Sequence, residues 1–533
     1  MLTKTKPTRR IAWAAAVTLL VAAIFAGCAA GGPAAGTTAA GTAAGTTAAA
    51  TEASTTSAAA ETATSAQPAE ASEAAYTVDF AVMQPQADMS DQDQVEAFLN
   101  GYLEKSLPNT KIHFTFIPSD QYGNKLMLDA TAGVPHDLLC GTGLNFSSSV
   151  AQGLFSPLPM AMLNQYAPDV VRRVDPRYWA AVTVKGEIYA IPNPFVYSQP
   201  TGWAFNKAMC DQYNFDATKV KSYKDMEPFL AAVKAGSPGI VPLFPGLGTY
   251  TGSYLDYVAG DNTIAYDTKR GVLEWCLDDP TYQENAAVLA DFYNKGYLPD
   301  NLASLANTSA NELFSTGKYA VATHAGVYDP SSEKSTNAYG YQTQEVLTDT
   351  FVIGTGRIHA VFVALSATSK NPERSIMFEN LLYKDKEFAN YVGYGKEGLN
   401  WNYVSGKGTD SPTVQTVDGS KWVIWICWIS PLWDQWPSNW NSAKALEEMK
   451  QWTDSADVSP LLGFVADTEP VKSQLAQLAA ILSEASGTLT QGAEGDAAAY
   501  LAETKKKAEA AGLQQVLDEL NRQIDDWKAA NGK

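Results

Sequence analysis

An α/β fold arranged as two lobes, with helices closing the chain, is what this sequence predicts, and three observations predict it. Strand-like and helix-like segments alternate from Tyr76 onward. The stretch 76–533 far exceeds the about 250–300 residues that one hydrophobic core organises. Beyond Val471 the chain reads as helix alone. The elements follow in order. YTVDFAVM (76–83) has the character of a buried strand, and DQVEAFLNGYLEKSL (93–107) places Val95, Phe98, Leu99 and Tyr102 on one helical face. KIHFTFI (111–117) reads as strand, residues 120–132 as helix and DLLC (137–140) as strand. Such alternation needs crossover connections, hence a parallel sheet covered by helices. GWAFN (202–206) is a strand feeding a helix, while SYKDMEPFLAAVKAG (222–236) and DDPTYQENAAVLADFYNKG (278–296) are helices stopped by glycine. NPERSIMFENLLYKDKEFANYVGYG (371–395) is helical with Pro372 in its first turn, and VKSQLAQLAAILSEAS, DAAAYLAETKKKAEAAG and LQQVLDELNRQIDDWKAA make three closing helices. No segment repeats with a fixed period, so the chain is not a solenoid.

Ahead of the fold, Lys4, Lys6, Arg9 and Arg10 precede the apolar run IAWAAAVTLLVAAIFAG and then Cys28. Positive residues, an apolar core and small residues before a cysteine make an export signal. It resembles a bacterial lipoprotein signal, which implies removal of residues 1–27 and a lipid on Cys28; an uncleaved anchor or a soluble secreted form are the alternatives. Residues 28–75 are almost only Ala, Thr, Gly, Ser, Glu and Pro. A segment without large apolar side chains cannot offset its ordering entropy, so a disordered tether is expected, with a typical reach of about 35–40 Å. The formal charge is −19, and the mature chain is more acidic still because the leader holds four of the positive residues. A surface of that sign repels phosphate backbones and excludes nucleic acid as a main partner. Cys140, Cys210, Cys276 and Cys427 show no CxxC spacing; two of them lie in apolar runs, DLLC and WVIWICW, and buried free thiols are expected.

In a parallel sheet, ligands gather where strands end at their carboxyl side. That rule selects the loops MQPQADMSD (83–91), GTGLNFSSS (141–149) and IPNPFVYSQ (191–199), although Asp and Ser there also serve as ordinary helix caps. The chain holds 13 tryptophans, and six crowd into KWVIWICWISPLWDQWPSNW: Trp422, Trp425, Trp428, Trp433, Trp436 and Trp440. A flat aromatic face suits the C–H face of a pyranose, with amides and carboxylates for its hydroxyls. Trp422, Trp425 and Trp428 nevertheless sit three apart in an aliphatic run, where aromatics are more often core. No HExxH, GxSxG, GxxxxGK[ST] or DxDxDG pattern occurs, so no cofactor or metal is expected. The four histidines, His113, His136, His324 and His359, are scattered; three read as structural and His324 as a polar contact. A carboxylate pair of a glycoside hydrolase or lyase is not excluded by spacing, and that reading stands as the alternative.

GEIYAIPN with GWAFNKAMCDQYNFD, then TSKNPERSIMFENLLYKDKEFANYVGYGKEGLNW, resemble successive segments of the extracytoplasmic solute-binding proteins of ABC importers. SPLLGFVADTEPVKSQLAQL resembles the opening of a C-terminal extension of unknown function, DUF3502, found in a lipoprotein branch of that family. The resemblance implies a two-lobed, periplasmic-binding-protein-like (Venus-flytrap) fold with a ligand in the cleft. It implies chain crossings near 196–202, 355–361 and 400–407, so that 76–197 with 358–402 forms one lobe. Residues 198–357 with 403–533 form the other, including the DUF3502-like region at about 459–533. The implied function is capture of a small solute, an oligosaccharide or alternatively a peptide, for delivery to a membrane permease, without catalysis. The implied state is a lipid-anchored monomer on the extracytoplasmic face. The binding residues it nominates are Gln84 and Asp88 after the first strand, Thr142, Asn145 and Phe146 after DLLC, Asn193 before the first crossing, and Tyr250 in LFPGLGTYTGSY. Tyr328 stands where relatives carry a GPW turn, this chain reading AGVYD, and Trp401 and Trp433 complete the set.

Overall fold

A computed structural model describes residues 74–532 except 199, 246–251, 260, 261, 301, 306–309, 325–331, 333, 334, 337, 338 and 494. The strands are β1 (Tyr76–Met83), β2 (Thr110–Ile117), β3 (Leu138–Cys140), β4 (Thr183–Val184), β5 (Glu187–Ile188) and β6 (Ile191–Pro192). They continue with β7 (Gly202–Asn206), β8 (Val241–Phe244), β9 (Leu255–Ala259), β10 (Ile264–Asp267) and β11 (Val272–Trp275). The last are β12 (Tyr319–His324), β13 (Thr343–Leu347), β14 (Phe362–Leu365), β15 (Trp401–Ser405) and β16 (Thr413–Thr416).

Two sheets organise two cores. The first has the order β2-β1-β3-β14-β6, with β1 parallel to both β2 and β3 and β14 antiparallel to β3 and β6. Val78, Phe80, Ala81 and Val82 are fully buried, as expected of a strand covered on both faces. The helix Gln92–Ser106 buries Val95, Leu99 and Leu103 against it, while Phe98 and Tyr102 only lean on Tyr391 and Phe388. The second sheet runs β13-β7-β12-β8, and a separate antiparallel sheet, β11-β10-β9, packs beside it. The helical stretch 371–395 is in fact two helices, Pro372–Lys384 and Lys386–Tyr394. Asp385 divides them because its carboxylate accepts from the Phe388 amide at 3.0 Å and caps the second. Cys140, Cys210, Cys276 and Cys427 are free, the first three buried. No helix among the described residues is long and apolar enough to cross a membrane.

The lobe boundaries differ from expectation at two places. Val346 is buried in the second core and Ile353 and Ile358 in the first, so the second crossing lies at 347–352, ahead of the expected 355–361. Trp422, Ile424, Trp428, Ile429, Leu432, Met449 and Leu462 are buried in the first core, so 403–462 completes the first lobe instead of entering the second. The apolar run WVIWICWI packs on the first sheet, Trp422 against Phe114 and Phe116 of β2 and Trp428 beside Cys140 of β3. Val471 and the residues after it join the second core. The third crossing therefore lies at 462–471, not at 400–407.

The first two crossings are hydrogen-bonded to one another, and the end of the second to the chain just ahead of the third. Thr348 donates its amide to the Thr201 carbonyl at 2.7 Å, Ile353 to Asp457 at 2.8 Å, and Ser459 back to Ile353 at 2.9 Å. Asp256 of β9, 5 % exposed, lies against this ribbon; a Cβ on Gly354 would come within 1.8 Å of its Oδ1, so only glycine fits there. Burial pushes the Asp256 carboxyl up to about 6, against the lowering influence of a hydrogen bond from Ser459 and the charge of Arg357. Because the folded value is raised, this group's contribution to stability is present below about pH 4 and lost as pH rises through about 6. Asp256→Asn is expected to gain up to about 3 kcal/mol over the parent by pH 8 and nothing at pH 4. Urea denaturation across that range measures it, and a pH-independent difference would refute it.

Candidate functional site at the carboxyl edges of the sheets

Topology brings two strand edges to the crossings. In the first lobe Cys140, the end of β3, pairs with Val363 at the start of β14, which has just come from the second crossing. In the second lobe His324, the end of β12, pairs with Gly202, the start of β7 just after the first crossing. β8 is parallel to β12, so its end leaves the same edge. Both lobes thus turn the carboxyl ends of their parallel strands toward the hinge, where such sheets bind ligands.

Residues 418–433 form the first lobe's contribution by running across its whole edge. At one end, Gln86 Nε2 donates to the Ser420 carbonyl at 3.3 Å, Asp88 pairs with Lys421 at 2.8 Å, and Asp91 accepts from the Lys421 amide at 3.1 Å. Trp422 then meets Phe114 and Phe116 of β2 edge-on, at 5.7 and 5.5 Å between ring centroids. The Cys140 thiol of β3 points to the Trp428 carbonyl at 3.8 Å, and the Leu432 amide donates to Pro194 beyond β6 at 2.9 Å. Along this strip Trp422, Ile424, Ile426 and Trp428 are buried, whereas Trp425, Cys427 and Trp433 are half-buried. Trp440 tilts against Trp425 at 5.3 Å. The Trp425 indole N–H lies out of solvent without a hydrogen-bond partner among the described residues. Three partly exposed indoles beside amide and carboxylate groups offer stacking faces and hydrogen bonds to a neutral, hydroxyl-rich molecule.

The nominated residues divide. Gln84, Asp88, Asn145 and Trp433 lie on this edge and are not buried. Gln84 Nε2 donates to the carbonyls of Gln86 and Ala87 at 2.8 and 3.1 Å. Asp88 is held down to about 2 by its hydrogen bonds from Lys421 and Ser90. Asn145 caps the helix Phe146–Ala151 through a 2.9 Å bond from the Ser148 amide.

Four expectations are corrected. Phe146 is 2 % exposed and stacks on His359 at 4.3 Å. Asn193 is fully buried, accepting from the Tyr383 hydroxyl at 2.9 Å and donating to Cys427 at 3.2 Å. Trp401 is fully buried with its N–H on the Gly395 carbonyl at 2.9 Å. Thr142 is 1 % exposed and its hydroxyl reaches the Ala360 carbonyl at 3.4 Å. The polar atoms of Asn193, Trp401 and Thr142 are spent inside the first lobe, and the Phe146 ring is packed there; of the four, Asn193 meets the strip 418–433, through Cys427. Tyr250, Tyr328 and Cys28 lie outside the described residues.

Three histidines serve the framework. His136 joins Asp79 at 2.6 Å and Asp129 at 3.2 Å. His113 meets Glu96 at 3.1 Å, and His359, which burial lowers to about 4, donates to the Ala181 carbonyl at 2.6 Å. Trp425 and Lys421 were missed by sequence reasoning. Neither has a signal in the sequence: Trp425 stands in an unbroken apolar run, and only its half-buried state in the structure singles it out.

Comparisons with known proteins bear on the family and the fold. Residues 86–393 match the family model described as bacterial extracellular solute-binding protein, and residues 460–529 match the domain of unknown function DUF3502. A carbohydrate ABC transporter substrate-binding protein of Streptococcus pneumoniae serotype 4 is 26 % identical over 452 residues, 82 % of this chain and 88 % of that protein. The crystal structure of the N-glycan transport solute-binding protein NgtS from Streptococcus pneumoniae superposes with a TM-score of 0.72 at 23 % identity, over 84 % of this chain and 98 % of that one. NgtS in complex with Man5GlcNAc gives 0.60 at 22 %, over 85 % and 98 %. An extracellular solute-binding protein from Bifidobacterium longum subsp. infantis gives 0.57 at 16 %, over 85 % and 99 %. The two-lobed fold is thus that of solute-binding proteins, and with more than half of its length matching the family model, the chain belongs to the bacterial extracellular solute-binding proteins.

Proposed function

We propose that this protein is the oligosaccharide receptor of an ABC importer, held at the extracytoplasmic face by a lipid on Cys28 after removal of residues 1–27. It works as a monomer that captures its ligand between the lobes, alters none of its bonds and hands it to a membrane permease. The observation that carries the reading is the likeness over most of the chain to a carbohydrate ABC transporter substrate-binding protein. The indoles on the first lobe's edge support it chemically. Trp425 and Trp433 supply stacking faces, and Gln84, Asp88 and Asn145 supply polar contacts to sugar hydroxyls. Tyr250 and Tyr328, which follow β8 and β12 in sequence, are the residues nominated for the second lobe. Closure then excludes water from the sugar, which strengthens each of those hydrogen bonds.

Thermal denaturation against a panel of di- to pentasaccharides and short peptides tests the assignment. A saccharide at a hundredfold excess over its dissociation constant is expected to add about 2.7 kcal/mol of stability. Trp425→Ala and Trp433→Ala are each expected to weaken that saccharide about tenfold, the worth of one lost aromatic contact. A peptide that stabilises while every saccharide fails, or recovery of cleaved sugar, would reject the reading.

A further inference from the structure

The helices Lys472–Gln491, Ala497–Ala510 and Leu513–Ala530, to which no role is assigned, are not a separate body. Val471, Leu475, Leu478, Leu489, Val516 and Leu520 are buried in the second lobe's core. Gly492 approaches the Leu289 backbone so closely that a Cβ would lie 2.4 Å from its carbonyl oxygen. Whatever motion the second lobe makes, these helices make with it.

The last turns of Leu513–Ala530 reach beyond that core to the third crossing. Ile524 is buried with Leu461, Phe464 and Tyr266, and Trp527 packs alongside. The Trp527 ring meets Phe464 edge-on at 6.0 Å. Gln523 completes the grip: its Oε1 accepts from the Asp467 amide at 2.8 Å, and its Nε2 donates to the Asp467 carbonyl at 2.9 Å.

The same short segment is also held by the first lobe. Leu462 lies in the first core, and the Gly463 amide donates to Thr355 Oγ1 at 2.9 Å. A Cβ on Gly463, whose φ is +96°, would stand 3.1 Å from Ala180. Neighbouring residues of one short segment are therefore committed to opposite lobes. Rotation of the lobes must be absorbed in those few residues, or the grip of the last helix must peel away.

We propose that the C-terminal helices are a hinge brace: by clasping Leu461, Phe464 and Asp467 through Gln523, Ile524 and Trp527, they hold the third crossing to the second lobe and limit how far the lobes swing. This rests on the reading of the lobes as closing jaws but not on the identity of the ligand. Without the clasp, 463–470 is a strap that places no limit on opening.

Pulsed electron–electron resonance tests this without any ligand. Spin labels go on Lys105→Cys in the first lobe and Ala235→Cys in the second, both exposed, in the full chain carrying Cys28→Ser and Cys427→Ser. Trp527→Ala and Gln523→Ala are expected to broaden the interlobe distance distribution and shift its mean by several ångström, on the scale of hinge motions. Lys505→Ala, which breaks the ion pair to Asp278 away from the crossing, is expected to leave it unchanged. Distributions that superimpose on the parent's for both clasp variants would overturn the brace, even if melting temperatures fall. A broadening by Lys505→Ala as large as theirs would overturn it too. Should Trp527→Ala fail to fold, the half-buried Gln523→Ala decides alone. A parent that binds no saccharide, with distance distributions that still broaden in the clasp variants, would reject the oligosaccharide reading and leave the brace standing.

Discussion

Arg173→Leu is expected to lower the stability of the protein by about 3–5 kcal/mol, because it strands a buried carboxylate. Arg173 ends the helix Pro168–Arg173 and forks onto Asp434, Nη1 to Oδ2 at 2.6 Å and Nη2 to Oδ1 at 2.8 Å, while Nη1 also donates to the Tyr383 carbonyl. Asp434 is 9 % exposed and adjoins Trp433 at the cleft edge. The pair therefore joins three stretches of chain distant in sequence and fixes the turn that presents an indole. Arg173→Lys keeps the charge but loses the fork, so an intermediate loss is expected. Urea denaturation of the two variants measures both; a loss below about 1 kcal/mol for Arg173→Leu, typical of an exposed pair, would show that the contact does not hold the turn.

Glu379→Gln is expected to raise stability, and more so at higher pH. Glu379 is fully buried in the helix Pro372–Lys384, and neither carboxyl oxygen has a hydrogen-bond partner among the described residues. Burial raises its pKa well above the ordinary carboxyl value, so the folded protein holds a proton that the unfolded chain releases. The sign follows. The parent's stability is fully present below about pH 4.5 and declines by roughly 1–1.5 kcal/mol for each pH unit above it, until the folded group itself ionises. An amide of the same shape cannot ionise and escapes that decline. Denaturation midpoints at pH 5, 6, 7 and 8 should diverge steadily between parent and variant; parallel curves would mean that the buried group is charged and paired.

Much of the fold is legible in local pattern. Tyr76–Met83 and Gly202–Asn206 are strands with the bounds the sequence indicates, since short, mainly apolar runs with aromatic residues and no helical period favour a buried strand. The closing helices are equally plain from their spacing and from Asp496 and Gly512 at their ends. The break at Asp385 is less so, because a cap residue inside a continuous apolar period looks like one more polar position.

The candidate site is legible only in part, and the reason is the same at each miss. Asn193 and Thr142 lie in loops of the right composition, Phe146 opens a helix and Trp401 a strand, and what buries each arrives from elsewhere in the chain: Cys427 for Asn193, Ala360 for Thr142, His359 and Phe362 for Phe146, Trp436 for Trp401. The strip 418–433 is harder still. Within that strip every residue from Trp422 to Ile429 is apolar or a thiol, so hydrophobicity does not distinguish the side packed on the sheet from the side left half open.

From the residues alone come the expectation of an export signal, the acidic balance of charge, the alternation that makes a parallel sheet, and the family motifs. Each is a property of short windows in which neighbouring side chains decide the outcome. Tertiary structure alone decides that 403–462 belongs to the first lobe, that Trp425 is half exposed while Trp422 and Trp428 are core, and that the final helix grips the third crossing. Those outcomes depend on which of several apolar surfaces is still uncovered when a distant segment packs, and burial energy is proportional to area without regard to sequence order.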